Sequence, residues 1–321
     1  MYRFCRIFLL ILDWLSSQIY SRSAFPMKDE TLKETNMKPT VKRFLGVGML
    51  LSSLLAANGC GSHNNQASSE FKVTNGKKIN EQEFPAVAFL ASYPVTESGF
   101  VSQGFCTGTF VNDHQLLTAA HCVEGLDPEN PAMYYVGKPE GSTKDLEYEP
   151  IAQALSFVQH PNYSMRLEGG INQYDMAVVE FPVGTAPAVS QITNIKPKTG
   201  DDLTIVGYGD NRNFATYSGE FGGSGSGIKR VGTNQVAFLE SDMIGFYGVT
   251  EENPELKVGE FSASGAGDSG GPLYINDKLA GITSGGGLAQ TEEGFMVGVS
   301  LYVDLTSQSS IQFLEMNLDK K

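Results

Sequence analysis

Gly265-Ala266-Gly267-Asp268-Ser269-Gly270-Gly271-Pro272-Leu273 sets one serine among four glycines, just ahead of an apolar run. A serine on such a tight turn is exposed, and the backbone N–H groups beside it can come close to a substrate. A nucleophile next to an oxyanion hole needs that arrangement. Alone, the string also reads as a plain turn. A serine nucleophile needs a base, and Leu117-Thr118-Ala119-Ala120-His121-Cys122 supplies a histidine. Alone, His121 also reads as a partly buried ring with a structural hydrogen bond. In Asn172-Gln173-Tyr174-Asp175-Met176-Ala177-Val178-Val179 a carboxylate precedes an apolar strand. A buried Asp175 is costly unless something pairs with it, and a histidine N–H would serve. The other reading of Asp175 is a turn residue that starts a strand.

The rest of the chain is consistent with strands around these three stretches. The 321 residues are 41% apolar and 18% charged, enough for a sizeable core. Thirty-six glycines favour tight turns over a helix bundle. Short apolar runs bounded by Gly, Pro, Asn and Asp recur at Ala86–Ala91, Gln115–Ala120, Met176–Phe181, Leu203–Val206, Gln235–Leu239, Pro272–Ile275 and Phe295–Val303. This spacing predicts an all-β sandwich or barrel. Only the end reads as helical, with Ile311, Leu314 and Leu318 on one face and a capping box from Ser309 to Gln312. Ser218 to Gly227, rich in Gly and Ser, reads as a mobile loop.

The net charge is −13. From Val73 onward, 14 Lys+Arg face 31 Asp+Glu, leaving that part near −17. Such a surface repels phosphate backbones, so nucleic acid is not an expected partner. No CxxC pair or zinc-spaced Cys/His cluster occurs, and no metal or cofactor is expected. Asp145-Leu146-Glu147-Tyr148-Glu149 reads as a solvated acidic loop, with calcium as the other reading. His63 and His114 read as solvated surface.

The first 60 residues read as a leader and are set apart from the fold. From Met37, a basic start leads into the apolar run Phe44 to Ala57 and then Asn58-Gly59-Cys60. This ending resembles a bacterial lipoprotein signal, which implies lipidation of Cys60 and membrane anchoring. A plain secretory signal or an uncut anchor is the alternative. A second apolar run, Arg6 to Leu15, leaves Met1 and Met37 both open as the start. Residues 61–72 are polar and read as a linker or propeptide. An exported chain is expected, either a cell-envelope lipoprotein or a secreted protein. In a secreted chain, Cys106 and Cys122 suggest one disulfide, against two buried thiols in the cytosol.

Together the Thr-Ala-Ala-His-Cys and Gly-Asp-Ser-Gly-Gly-Pro strings, in the order His, Asp, Ser, resemble the trypsin-like serine proteases of the chymotrypsin fold. The resemblance runs from Val73 to the C-terminus. It implies two six-stranded antiparallel β-barrels with the active site between them and a C-terminal helix. By it, His121 is the general base and then acid, Asp175 orients it, and Ser269 attacks the scissile carbonyl. The N–H groups of Gly267 and Ser269 would form the oxyanion hole. Cys106 and Cys122 resemble the family disulfide beside the histidine. His160-Pro161-Asn162-Tyr163 resembles a loop before the acid, with His160 a surface histidine of no catalytic role. Gly207-Tyr208-Gly209 resembles a turn of the second barrel.

The same resemblance implies a zymogen cut after Lys72 by a protease of tryptic specificity. Val73-Thr74-Asn75-Gly76 stands where a segment like Ile-Val-Gly-Gly is expected, with Thr74 in place of an aliphatic residue. The freed ammonium of Val73 would pair with buried Asp268. Without cleavage, Val-Thr reads as a strand start before an Asn-Gly turn. Six residues before the nucleophile, where members cutting after Lys or Arg carry Asp, stands Ala263. Ala263 and Ser264, with Ser284 and Gly286 on the substrate-pairing segment, imply an uncharged primary pocket for apolar or small residues. The expected function is hydrolysis of protein or peptide substrates. The alternative is a catalytically silent protease-fold binding protein on the cell envelope.

Overall fold

The computed structural model describes residues 73–94, 103–137, 149–164, 172–215, 221–250, 256–291, 294 and 296–319. The leader with Cys60, the linker with Lys72, His63, and 145–148 of the acidic run lie outside the described residues. Eight strands come first: β1 Lys77–Lys78, β2 Val87–Ser92, β3 Gly104–Phe110, β4 Gln115–Thr118, β5 Met133–Val136, β6 Pro150–Gln153, β7 Ser156–Gln159 and β8 Ala177–Glu180. Then follow β9 Asp202–Gly207, β10 Arg212–Ala215, β11 Phe221–Ser224, β12 Arg230–Gln235, β13 Phe238–Glu240 and β14 Met243–Gly248. The last strands are β15 Pro272–Ile275, β16 Lys278–Gln290 and β17 Met296–Asp304, followed by helix α1, Gln308–Asn317.

Two antiparallel sheets carry the fold, as expected of a chymotrypsin-like protein. The first runs β6-β5-β2-β3-β4-β8-β7 and the second β1-β12-β9-β15-β16-β17-β14-β13. They hold seven and eight strands rather than six each. In the first sheet, one extended segment bends at Ala154–Leu155. Ala154 N–H donates to Met133 of β5 and Leu155 N–H to Glu180 of β8, so the two ends of the sheet meet there. In the second, β1 and β13 add very short edge strands.

Period-2 alternation explains why several strands are apolar throughout. All of β2 is buried. Ala88 and Leu90 pack with Phe110, Leu116 and Val179 inside the first sheet. Val87, Phe89 and Ala91 face the other way, onto Val206, Tyr208, Ile282 and Val303 of the second sheet. A third cluster, with Leu203, Ile205, Phe246, Leu273 and Tyr302, fills the interior of the second sheet.

Three expectations are corrected. The run Gln235–Leu239 is two strands, because Val236 N–H turns to Asp201 while Ala237 N–H bonds Gly245 of β14. Helix α1 is capped by Ser307, which accepts the Ser310 N–H, and not by Ser309. Its buried face is Ser310, Phe313 and Leu314, with Ile311 exposed. In the Gly/Ser-rich stretch, Phe221–Ser224 forms β11 paired with β10.

Phe89 lies 5.5 Å from the Phe105 ring and 5.1 Å from Tyr208. Phe89→Ala is expected to lower unfolding stability by about 3–5 kcal/mol, read by urea denaturation.

Candidate active site

His121 sits on a 3₁₀ turn, Ala120–Val123, directly after β4. Gln159 Nε2 donates to the Ala120 carbonyl at 2.9 Å and fixes the turn. Asp175 lies just before β8, the neighbour of β4. The pairing therefore brings the two together: His121 N–H meets Asp175 Oδ1 at 2.9 Å, and Nδ1 meets Oδ2 at 2.7 Å. Ser284 of β16 adds a third donor, its hydroxyl 2.7 Å from Oδ2. The Asp175 carboxylate is buried, while the His121 ring is about one-third exposed.

The Ser269 loop is held from both sheets. Thr107 N–H of β3 donates to the Ser269 carbonyl at 2.8 Å, and Thr107 Oγ1 donates to Gly267 at 2.9 Å. Gly270 N–H donates to Thr283 of β16. Gly270 has φ +76°, and a Cβ there would lie 2.1 Å from Thr118 Oγ1. Only glycine fits that combination. Asp268 is buried and accepts from Gly209 N and Gly265 N, each at 2.8 Å. Burial pushes its carboxyl up to about 7, against the pull of those two donors. Among the described residues, the N–H groups of Gly267 and Ser269 have no acceptor.

Cys106 of β3 and Cys122 of the histidine turn form a disulfide, with their Cα atoms 6.2 Å apart. Cys122 Sγ lies 3.7 Å from the Ser269 carbonyl oxygen, so histidine turn and serine loop are in contact. The Cys106, His121 and Cys122 side chains cluster as metal ligands would. Both sulfurs, however, are committed to the S–S bond.

Residues 73–306 match the sequence model of the family described as Trypsin. The chain belongs to the trypsin family. It is 28% identical over 246 residues to a trypsin of Saccharopolyspora erythraea, covering 73% of this chain and 96% of that one. It is 28% identical over 222 residues to Limulus clotting factor C of Carcinoscorpius rotundicauda. That match covers 64% of this chain and 21% of the clotting factor, so the chain spans only a small part of that relative. A solved structure of a scabies mite inactivated protease paralogue is 18% identical, with a TM-score of 0.50 over 77% of this chain and all of that one. This likeness concerns the fold.

In this trypsin-family chain the other expected residues fall as follows. Val73 is buried among Leu203, Ile205 and Phe246. Thr74 bonds Ala263, which is fully buried. Asn75 Nδ2 reaches the carbonyls of Lys257 and Glu260. Ser264 N–H and Oγ both meet Ser300 Oγ, at 2.9 and 3.0 Å. Gly286 pairs with Ser300 across β16 and β17. A Cβ on Gly298 would lie 3.2 Å from that of Ala263. Thr74, Gly298 and Ser300, the named neighbours of Ala263 and Ser264, carry no charge.

His160 is corrected from surface to core. Its Nδ1 accepts from Asn162 N–H, its Nε2 meets Ser309 Oγ at 2.9 Å, and its ring stacks on Tyr174. Burial lowers its pKa. His114 is also more than solvated surface. Its ring bridges Asp113 at 2.7 Å and Asp319 at 3.2 Å, and the bond to Asp113 raises its pKa.

Sequence reasoning missed Thr107 and Thr283, because a threonine in a strand reads as β propensity alone. It also missed Lys229. This lysine is buried, donates to the Phe84 carbonyl at 2.8 Å and stands 3.9 Å from Glu81. Burial lowers its pKa to about 8. Nothing in Ile228-Lys229-Arg230 signals burial.

Asp268 binds its proton more tightly in the folded chain than its ordinary value of 3.8. Its contribution to stability therefore falls as pH rises from about 4 to about 7, then levels. Urea unfolding across that range is expected to show Asp268→Asn gaining on the uncut wild type as pH increases. Parallel pH profiles for the two proteins would refute it.

Proposed function

We propose that this chain is a serine endopeptidase that cleaves protein or peptide substrates through His121, Asp175 and Ser269. The bond between His121 Nδ1 and the buried Asp175 carboxylate carries this reading. A carboxylate only accepts, so Nδ1 holds the proton and Nε2 of the neutral ring is left as a base. Nε2 takes the Ser269 hydroxyl proton as Oγ attacks the scissile carbonyl carbon. The carbonyl oxygen gains the negative charge, and the open N–H groups of Gly267 and Ser269 receive it. The imidazolium then protonates the leaving amine, the C–N bond breaks, and an acyl ester remains on Ser269. Water, deprotonated by Nε2, opens the ester and restores the serine. Asp175 stays ionised and holds the ring in one tautomer.

The chain is read as a zymogen cut after Lys72 by a protease of tryptic specificity. The burial of Val73 and the docking of Thr74 on Ala263 support this. A freed Val73 ammonium supplies the cation that buried Asp268 calls for, drawing its raised pKa down. The primary pocket is uncharged. Ala263, Ser264, Ser284 and Gly286 bring no charge to it, so it accepts apolar or small side chains. The leader implies export, either anchored through lipidated Cys60 or secreted.

Fold alone does not fix activity: the scabies mite neighbour in fold is an inactivated protease paralogue. The deciding experiment is fluorophosphonate labelling of protein nicked after Lys72, beside Ser269→Ala, with a peptide-library profile. Labelling and cleavage after apolar or small residues, both absent in Ser269→Ala, are expected. Cleavage after Lys or Arg would overturn the pocket assignment alone. Folded, nicked protein that neither labels nor cleaves would favour the silent binding protein. Replacing Asp175 by Asn is expected to lower kcat about 10⁴-fold with the protein still folded, measured on the best library peptide.

A further inference from the structure

An open pocket of about 460 Å³ lies between the stretch that follows the histidine turn and strand β7. Its lining residues include none of the triad and none of the four assigned to the primary pocket. Two hydrogen bonds tie its walls together. Phe157 N–H donates to the Pro128 carbonyl at 3.0 Å, and the Tyr163 hydroxyl donates to Glu124 Oε2 at 3.1 Å. Glu124 is the only carboxylate in the lining, which holds no lysine or arginine. Among the described residues, no lysine or arginine forms an ion pair with it. His160, also in the lining, brings no competing charge, because burial lowers its pKa. Tyr163 keeps its proton, since burial and then the charges of Asp175 and Glu124 hold its pKa far above the ordinary tyrosine value. The sides are apolar: Leu126, Pro128, Val158 and Pro161. A carboxylate and a hydroxyl oxygen set among such walls suit a cationic head on an aliphatic stem.

The backbone of β7 adds a reason to expect a peptide there rather than a free amine. His160 N–H donates to Met176, opposite it across the register of β7 and β8. Antiparallel alternation then turns the backbone groups of Phe157 and Gln159 away from β8. Phe157 N–H uses that direction to reach Pro128. The Phe157 carbonyl and the Gln159 N–H have no partner among the described residues. Two residues apart, they are the acceptor and donor that one residue of an extended chain parallel to β7 takes up. We propose that this pocket binds a lysine or arginine side chain of a polypeptide, with Glu124 and Tyr163 receiving the cation and the edge of β7 holding the backbone beside it. Glu124 N–H donates to the His121 carbonyl, so a polypeptide held here is tethered to the turn that carries the catalytic base. Under the protease reading this is a second hold on a protein substrate, and the binding itself does not require catalysis.

The test titrates a capped pentapeptide with one central arginine into the ¹⁵N-labelled full chain carrying Ser269→Ala. The same peptide with citrulline, of equal shape and no charge, runs beside it. Because this chain cannot hydrolyse the peptide, the result stands apart from the labelling experiment on the protease reading. Saturable shifts of the Gly125 and Gln159 amides are expected with the arginine peptide. Citrulline in the peptide, or Glu124→Gln in the protein, is expected to raise Kd roughly ten-fold, the loss of one charge-assisted hydrogen bond. Glu129→Gln, an exposed acid outside the pocket, is expected to leave Kd within about two-fold. Equal binding of the citrulline peptide on the otherwise unaltered chain would overturn the proposal. Equal weakening by Glu129→Gln and Glu124→Gln would reduce it to general attraction by an acidic surface and overturn it too. Shifts confined to the surroundings of Ala263 would place the arginine in the primary pocket instead. Binding seen only after Arg166→Gln would mean that the chain's own arginine fills the site, which also overturns it.

Discussion

A carboxylate withdrawn from water has to be met by donors on every side, and Asp175 imposes that demand on both sheets. Two of its donors come from His121, on the turn after β4. The third, Ser284, belongs to β16 in the other sheet. Any displacement of one sheet against the other would strip a donor from a buried charge. The electrostatics of one side chain and the relative placement of two sheets are therefore one requirement.

Packing meets that requirement from behind. Strand β2 buries Ala88 and Leu90 within its own sheet and Val87, Phe89 and Ala91 against the other. β4 and β8 divide likewise, with Leu116 and Val179 inward and Leu117 and Val178 toward the second sheet. These are the strands that carry His121 and Asp175. Two-sided burial fixes their register, since a slip of one residue exchanges both faces at once. The disulfide Cys106–Cys122 and the Thr107 contacts then join β3 to the histidine turn and the serine loop.

Much of this was legible in the sequence because the chemistry is local. Glycines around Ser269, an apolar run after Asp175 and a cysteine beside His121 are each written in a few adjacent residues. The strand count was less legible. Whether a segment bends, as at Ala154–Leu155, or changes partner, as at Val236–Ala237, depends on what lies across the sheet. His160 was misread because its burial comes from Tyr174, Ser309 and Phe313, two of them more than a hundred residues away. Ser307 displaced Ser309 as the helix cap through the same contact, since Ser309 is turned to His160. The two hydrogen bonds between Thr74 Oγ1 and the Ala263 backbone span 189 positions, which no local pattern encodes.

Lys229 is enclosed by the segment leading into β2, with its ammonium on the Phe84 carbonyl and 5.8 Å from the centroid of the Tyr208 ring. An amine-directed reagent reaches it only when residues 80–86 lift away from the start of β12. Its modification rate therefore reports how often that corner of the molecule opens, where the exposed ammonium of Lys257 reports only the reagent.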